Sequence, residues 1–281
     1  MTKYVNLGCG NRYHPEWINI DIIPYSPSIV VHDISQGIPL SNESCDVVYH
    51  SHLVEHIRRQ DISFFMRECR RVLKPGGILR VVTPDLERIC RIYLQKLEET
   101  IAGKTRSHYD YNWILLEMYD QTVREQGGGE MLEYLRQNPL PNETFVYERI
   151  GEEGRNIVRG LRNVPTNLFQ ETFRWREVFQ RLRSLPKVVV KRIVGLLGRD
   201  GMRALTVGRF RLGGEVHHWM YDRYSLARLM MEAGFQNPIQ QSAGSSQISP
   251  WSRFNLDTLP DGTVIKPDSL FMEATKPSEV I

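Results

Sequence analysis

The 281-residue sequence lacks the features that mark membrane-spanning, secreted and cysteine-based metal proteins. No apolar stretch approaches the roughly 20 residues that are needed to span a bilayer. Strand-like sequence begins within the first few residues, so we expect no signal peptide and a cytoplasmic location. The four cysteines show no metal-type spacing, and we expect reduced, mostly buried thiols. They are Cys9, Cys45, Cys69 and Cys90.

Acidic residues are scarce between Arg155 and Arg211, where 14 basic residues meet only three acidic ones. The net charge of this basic stretch is +11, so a whole-chain charge of +3 leaves −8 for the remainder. A positive field favours an anionic partner, such as a phosphate-bearing glycan or lipid intermediate. No recognised nucleic-acid-binding motif accompanies the stretch, so we do not expect nucleic acid as a partner.

The most informative feature present is a strand that runs into a Gly-x-Gly turn. Gly8 and Gly10 follow the apolar run after Tyr4, and a second apolar run ends on Asp21. Glycine has no Cβ and tolerates positive φ, so a ligand can approach the backbone closely. An Asp at the end of the second strand can accept hydrogen bonds from both hydroxyls of a ribose. The pattern predicts a pocket for an adenosine-containing ligand.

Short apolar runs bounded by turns recur along both ends of the chain. Strands are predicted at residues 4–8, 17–20, 29–31, 45–49, 78–82, 238–241 and 269–274. Helices are predicted at about residues 57–73 and 223–233, the first from its i, i+3, i+4, i+7 apolar spacing. Strands that alternate with such connections are typical of a parallel α/β sheet.

This sheet pattern stops after Asp85 and resumes only near Tyr221. We therefore predict a core formed by residues 1–85 and 216–281. Residues 86–215 form a basic, mostly helical insertion after the fifth strand, which we expect to cap the substrate site.

Four motifs in this order resemble those of class I S-adenosylmethionine-dependent methyltransferases, most closely the type 11 group. They are Asn6-Leu-Gly-Cys-Gly10, the run from Asp46 to His56, the run from Arg71 to Leu79, and the helix end from Leu226 to Phe235. The resemblance implies a Rossmann-like, mostly parallel seven-stranded sheet, S-adenosyl-L-methionine as cofactor, and methyl transfer as activity.

The resemblance also assigns eight residues to the cofactor: Asn6, Gly8, Gly10, Asp21, Asp33, Ile34, His50 and Ser51. The two glycines would lie under its methionine part, and Asp21 would hold the ribose. Asp33 and Ile34 would hold the adenine, although Asp33 can equally be a turn residue at a strand end. The last two residues would line the sulfonium side.

The sequence departs from the family at three points, one of which is that the helix usually found before the first strand is missing. Asn6 occupies a position that is usually acidic, although its amide oxygen can still accept a hydrogen bond. Only seven residues separate Gly10 from Ile18, too few for the usual crossover helix. We therefore expect one face of the sheet to be thinly covered or to be covered by the insertion.

The segment from Val216 to Asp222 leads into a helix that starts near the carboxyl edge of the strands. His217 and His218 in this segment are candidates for a general base, because histidine titrates near neutral pH. The alternative is that both are hydrogen-bonded surface residues without a catalytic role.

The run His52-x-x-Glu55-His56 matches the letters of a zinc-peptidase motif but follows a strand instead of lying within a helix. It also resembles a loop of some quinone-pathway O-methyltransferases, in which acidic and histidine residues hold a divalent metal. We interpret Glu55 as a favourable charge at the start of the following helix and predict no metal.

Residues 185–199 combine apolar and basic residues. Such a segment can lie on an anionic membrane surface, or it can be a buried helix whose Lys and Arg side chains reach solvent.

Two other functions compete with methyl transfer. A catalytically silent S-adenosylmethionine-binding interaction module would share the same core. A nicotinamide oxidoreductase is disfavoured, because the third glycine of the dinucleotide motif is absent after Gly10.

Overall fold

The computed structural model describes residues 2–163 and 187–278. Seven strands form one sheet in the order β3-β2-β1-β4-β5-β7-β6. They are β1 Tyr4–Leu7, β2 Trp17–Asp21, β3 Val30–Val31, β4 Cys45–Ser51, β5 Leu73–Pro84, β6 Gln236–Gln241 and β7 Ser269–Thr275. The first five run parallel, and β7 is antiparallel to both of its neighbours. This arrangement confirms the predicted Rossmann-like sheet.

Seven helices accompany the sheet in the described residues. They are α1 Ile62–Val72, α2 Leu86–Ile101, α3 Ser107–Val123, α4 Gly129–Leu135, α5 Glu143–Asn163, α6 Lys187–Arg211 and α7 Arg223–Glu232. Three further short 3-10 turns occur at Ile34–Gln36, Val54–His56 and Trp251–Phe254. No helix in these residues is long and apolar enough to cross a membrane.

Helix α1 covers one face of the sheet with the side chains that its spacing predicts. Ile62, Phe65, Met66, Cys69 and Val72 are all buried in it. They join side chains of β1, β4 and β5 and of α7 in the main hydrophobic core. The helix begins five residues later than predicted, because the chain first makes the 3-10 turn after β4.

The opposite face is covered by the irregular segment 242–268, which neither of our two expectations foresaw. Trp251 and Phe254 of this segment pack against Trp17, with ring centroids 6.1 and 5.1 Å from it. The sheet is thinly covered at its two edges, where the side chains of Val30 and Val31 in β3 and of Ile239 in β6 are exposed. No residue of the insertion that the structure describes, at 86–163 or 187–215, belongs to this second core.

A buried ionic network fastens segment 242–268 to the sheet. Arg80 of β5 is fully buried, and its Nη2 donates to Asp257 Oδ2 at 2.7 Å while its Nη1 donates to Glu273 Oε1 at 2.6 Å. The guanidinium also donates to the backbone carbonyls of Ser242 and Ser245. The positive charge of Arg80 is thus compensated inside the core by two carboxylates.

Helices α2–α6 leave and rejoin the sheet at neighbouring points. Asp85 forms a parallel bridge with Tyr221, and Leu86 N donates to Tyr221 O at 3.0 Å. These helices have a hydrophobic cluster of their own, which includes Trp113 and Val146. Their treatment as a separate domain stays a prediction. Of residues 185–199, the first two lie outside the described residues and the others begin α6.

Candidate functional site

The turn after β1 contains two glycines with different surroundings. Both adopt positive φ, 61° at Gly8 and 52° at Gly10. A Cβ on Gly8 would lie 2.9 Å from Leu53 Cδ1, whereas a Cβ on Gly10 would meet nothing within 4 Å. The positive φ favours glycine at both positions, the first glycine also packs closely against Leu53, and the second borders open space in which a ligand can lie.

Asp21 at the end of β2 connects this turn to the second strand, as the sequence pattern predicts. Its Oδ2 accepts from Gly10 N at 2.8 Å, and its Oδ1 accepts from Ile23 N at 2.8 Å. A carboxylate oxygen has two lone pairs. Each oxygen can therefore still accept a hydrogen bond from a ligand hydroxyl.

Asn6 is buried beneath the same turn and acts as a donor. Its Nδ2 donates to Arg12 O at 2.9 Å and approaches Asn19 Oδ1 at 3.4 Å. A carboxylate at this position could not donate these hydrogen bonds. Asn6, which replaces the family's acidic residue, thus stabilises the loop between β1 and β2. Direct contact of Asn6 with the cofactor stays a prediction.

The predicted adenine residues follow β3. Asp33 is exposed, and its Oδ1 accepts from Ser35 N at 2.9 Å, which caps the 3-10 turn that begins at Ile34. The second oxygen of Asp33 remains available to a ligand. Both the turn interpretation and the adenine interpretation fit this geometry.

The predicted sulfonium-side residues end β4. The His50 side chain is fully buried, and its ring packs against Phe65 at a centroid distance of 5.3 Å. Burial lowers the pKa of His50 to about 4. Its ring therefore faces the core under α1, and contact with a ligand would have to come from the backbone. Ser51 is half-buried at the end of the strand.

A polar cluster follows β4 at the carboxyl edge of the sheet. His52 adopts a positive φ of 50°, a conformation that costs energy for a non-glycine residue. Its Nε2 shares a 2.8 Å hydrogen bond with Ser269 Oγ, and its Nδ1 lies 3.2 Å from Glu55 Oε1. Thr83 Oγ1 donates to Glu55 Oε2 at 3.2 Å. Glu55 is fully buried within this cluster.

The returning segment adds one of its two histidines to the polar cluster. His218 N donates to Glu55 O at 2.7 Å, and His217 N donates to Gln121 O at 2.9 Å. The His217 ring lies 4.6 Å from the His56 ring between centroids. His218 is half-buried outside the cluster, where burial and then Arg58 lower its pKa. The two predicted catalytic histidines are therefore in different environments.

The polar cluster contains one ionised carboxylate beside histidine rings that are uncharged. Burial alone would raise the pKa of Glu55, but the close approach of His52 and the neighbouring histidines hold that pKa well below its usual range. Burial lowers the pKa of His217 to about 3, and burial also lowers the pKa of His56. Near neutral pH, Glu55 is ionised while the rings of His56 and His217 are uncharged.

Sequence reasoning missed several residues around the cluster. Ser269 comes from β7, and the ion pair of Glu153 with Lys266, 3.0 Å between Oε2 and Nζ, joins α5 to segment 242–268. These residues lie between about 100 and 220 positions from His52 along the chain. A local pattern offers no signal for contacts at such separations. Gly151 of α5 adopts a φ of 60°, and a Cβ at this position would clash with Pro267, so the close approach of α5 to segment 242–268 requires glycine there.

Residues 6–81 match the sequence model of a methyltransferase domain family. A probable S-adenosylmethionine-dependent methyltransferase of Mycolicibacterium smegmatis is 34% identical over 98 residues, which cover 29% of this chain and 37% of that protein. A counterpart of Mycobacterium tuberculosis is 32% identical, with 29% and 35% covered. The chain thus spans little more than a third of the length of these relatives.

A solved methyltransferase structure from Archaeoglobus fulgidus matches 98% of this chain and 86% of its own chain, at 10% identity. The TM-score of this match is 0.39, which is too low to support further argument. The strand order of this sheet is the stronger structural observation. Residues 6–81 are thus similar to a methyltransferase domain, and they lie in a mostly parallel, Rossmann-like sheet of the kind expected for a domain that binds S-adenosylmethionine.

Proposed function

We propose that this protein transfers the methyl group of S-adenosylmethionine to an acceptor held at the carboxyl edge of β4 and β5. The observation that supports this most directly is the hydrogen bond between Gly10 N and Asp21 Oδ2, because it joins the open glycine turn to a carboxylate. Ligands of open α/β sheets bind at this edge. When bound, the cofactor supplies a methyl group on a positively charged sulfur.

The residues present fit such a cofactor. Gly10 borders open space where a Cβ would intrude on a ligand, and Asp21 and Asp33 each keep an accepting oxygen. Asp21 would hold the ribose hydroxyls, and Asp33 with Ile34 would hold the adenine. These roles suit carboxylates, because an ionised oxygen strengthens each hydrogen bond that it accepts.

Alignment of the acceptor is the main task left to the protein, because holding two reactants in line removes most of the entropic cost of their encounter. The polar cluster of His52, Glu55, His56 and His217 lies at the end of β4, beyond the glycine turn. The segment that contains helices α2–α6 leaves the sheet after Asp85 and rejoins it at Tyr221, beside this cluster. We infer that these helices cover the acceptor and exclude water from it.

The acceptor itself is proposed to be anionic, because the basic stretch from Arg155 to Arg211 begins in α5 and ends in α6. Part of the stretch is already neutralised: Arg203 Nη2 lies 3.1 Å from Glu125 Oε2. The remaining excess of positive charge would draw in a phosphate-bearing glycan or lipid intermediate, and residues 185–199 could contact a membrane surface that presents it.

Incubation of the purified protein with methyl-labelled cofactor and cell extract tests the proposal. Label should pass to a single class of acceptor, and that class should be isolated and identified. Gly10→Val is the matched control, since its side chain would occupy ligand space and abolish both binding and transfer. S-adenosylhomocysteine binding by the unaltered protein without label transfer to any extract would instead indicate a catalytically silent binding module.

A further inference from the structure

Three side chains that can ligate a metal meet at the end of β4. Glu55 and His56 come from the 3-10 turn after the strand, and His217 comes from the segment that returns from α6. One potential ligand atom from each lies within 4.8 Å of the other two. The two parts of the chain are more than 150 residues apart in sequence, so the fold alone brings them together.

Two of the three side chains have unsatisfied polar atoms. His56 Nδ1 and His217 Nδ1 are buried and lack a hydrogen-bond partner among the described residues, whereas Glu55 Oε1 lies 3.2 Å from His52 Nδ1. Glu55 is 0% exposed and His217 is 4% exposed, so water cannot readily satisfy these two. Each unsatisfied buried group lowers the stability of the fold. One ligand bound by both imidazole nitrogens and by the carboxylate would remove this penalty.

Two imidazole nitrogens and one carboxylate oxygen form a donor set that suits a transition-metal ion. Zinc takes such ligands at about 2.0–2.2 Å, and catalytic zinc sites use three protein ligands with a fourth position left open. We propose that Glu55, His56 and His217 bind one divalent transition-metal ion, for which Zn²⁺ is the best match. Tetrahedral bonds of that length separate ligand atoms by roughly 3.4 Å, a contraction that side-chain rotation can supply.

Neighbouring groups are placed to orient these ligands. Thr83 Oγ1 donates to Glu55 Oε2, and His52 Nδ1 lies 3.2 Å from Glu55 Oε1. The backbone N–H groups of His217 and His218 are fixed by Gln121 O and Glu55 O. Such outer contacts set the orientation of ligands and are typical of metal sites.

This proposal replaces our sequence-based interpretation of Glu55. Glu55 was expected to stabilise the start of the following helix, but α1 begins only at Ile62 and has no acidic residue in its first turn. The carboxylate is therefore too far along the chain to act on that helix, whose charge effect falls off within one turn. Glu55 instead lies in the first turn of the 3-10 turn Val54–His56, which is too short to account for a fully buried carboxylate by its charge effect alone.

The metal would connect the sheet to the point where helices α2–α6 rejoin it. With three protein ligands, it would keep a coordination position for water or for an acceptor oxygen. The existence of the site does not depend on methyl transfer, so the two proposals can fail separately.

Titration calorimetry of the full chain with Zn²⁺, after removal of bound metal with a chelator, tests the site. The unaltered protein should bind one equivalent. Glu55→Gln and His217→Ala should each weaken binding by more than 100-fold, and His52→Ala by roughly 10–100-fold, the range for an outer-shell residue. His108→Ala is the control, because His108 is an exposed histidine of α3, and it should bind as the unaltered protein does.

Binding of S-adenosylhomocysteine by each variant checks that it is folded. Titration of the unaltered protein with Co²⁺ is a measurement that needs no variant, and it should give the visible absorption of a nitrogen- and oxygen-ligated ion without a thiolate charge-transfer band. Absence of such absorption, or binding of Zn²⁺ by the unaltered protein no tighter than by Glu55→Gln, would overturn the proposal. Equal loss in His108→Ala would also overturn it.

Discussion

Asp21 has two tasks in the candidate cofactor site: it holds Gly10 N and it offers free lone pairs to a ligand. Asp21→Ala should weaken S-adenosylhomocysteine binding by about 1.5–3 kcal/mol, the range for hydrogen bonds to a charged group. Calorimetry measures the change directly. Asp261→Ala, in an exposed turn of segment 242–268, serves as the control. Unchanged affinity in a folded Asp21→Ala protein would remove this residue from the site.

The two histidines of the returning segment should separate in function. His217 lies in the polar cluster and His218 lies outside it, so His217→Ala should lower kcat by at least tenfold while His218→Ala changes it little. S-adenosylhomocysteine affinity should stay nearly constant in both, because neither residue belongs to the glycine turn. Steady-state kinetics with the identified acceptor provide the measurement. Full activity of His217→Ala would make it a structural residue only.

The sequence predicted which residues lie together where local backbone geometry fixes their positions. Gly8, Gly10 and Asp21 lie together because a strand, a tight turn and a second strand fix them. His50 was assigned by its place at the strand end, yet its ring faces the core. Side chains alternate along a strand, so the buried Val48 two residues earlier already indicated that face.

At the scale of elements, segment 242–268 depends on Arg80 for its attachment to the sheet. Arg80→Met should lower the free energy of unfolding by about 3–5 kcal/mol, because Asp257 and Glu273 would remain buried without a counter-charge. Urea denaturation measures the loss. Arg228→Ala breaks an exposed ion pair with Glu232 on α7 and should cost only about 0.3–0.5 kcal/mol. Equal losses in the two variants would contradict the network's importance.

Helix α6 and the residues before it are expected to attract the acceptor. Replacing Lys187, Lys191 and Arg192 together with Gln should raise the acceptor KM and flatten its dependence on salt, since salt screens a field of exposed charges. Cofactor affinity should be unchanged. Their side chains lie outside the described residues, so the expectation rests on sequence charge alone.

The matched control for this variant is a triple replacement with Gln of three exposed basic residues outside the basic stretch: Arg67, Lys104 and Arg228. Kinetics at low and high salt should distinguish the two triple variants. If both behave like the unaltered protein, the basic stretch is a solvated surface and the electrostatic part of the proposed function fails.

The seven strands and the two helices of the core followed from short apolar runs and apolar spacing, because burial of one face forces a period of two or 3.6 residues. The five helices that the structure describes in the insertion were predicted only as a mostly helical stretch. The segment 242–268 could not be found in this way, since it is irregular and has no period. Its Trp251 and Phe254 pack against residues far away in the sequence. The 3-10 turn after β4 likewise obscured the start of α1, because helical spacing continues through both.

On the scale of the whole molecule, charge is distributed unevenly: the basic stretch has a net charge of +11 and the rest of the chain has −8. The acidic part contains the glycine turn and β1–β5, and the basic part belongs to helices α5 and α6 and the residues between them. The sequence alone establishes this asymmetry. The position of the polar cluster next to the returning segment required the fold, because it joins residues 55 and 217.

The bridge between Asp85 and Tyr221 makes the departure and the return of helices α2–α6 a single place on the sheet. A second connection, the ion pair of Glu153 with Lys266, holds the same helices to segment 242–268. His217 lies four residues before Tyr221, and Glu55 follows β4. An ion bound by both would therefore tie the returning segment to the sheet at a further point.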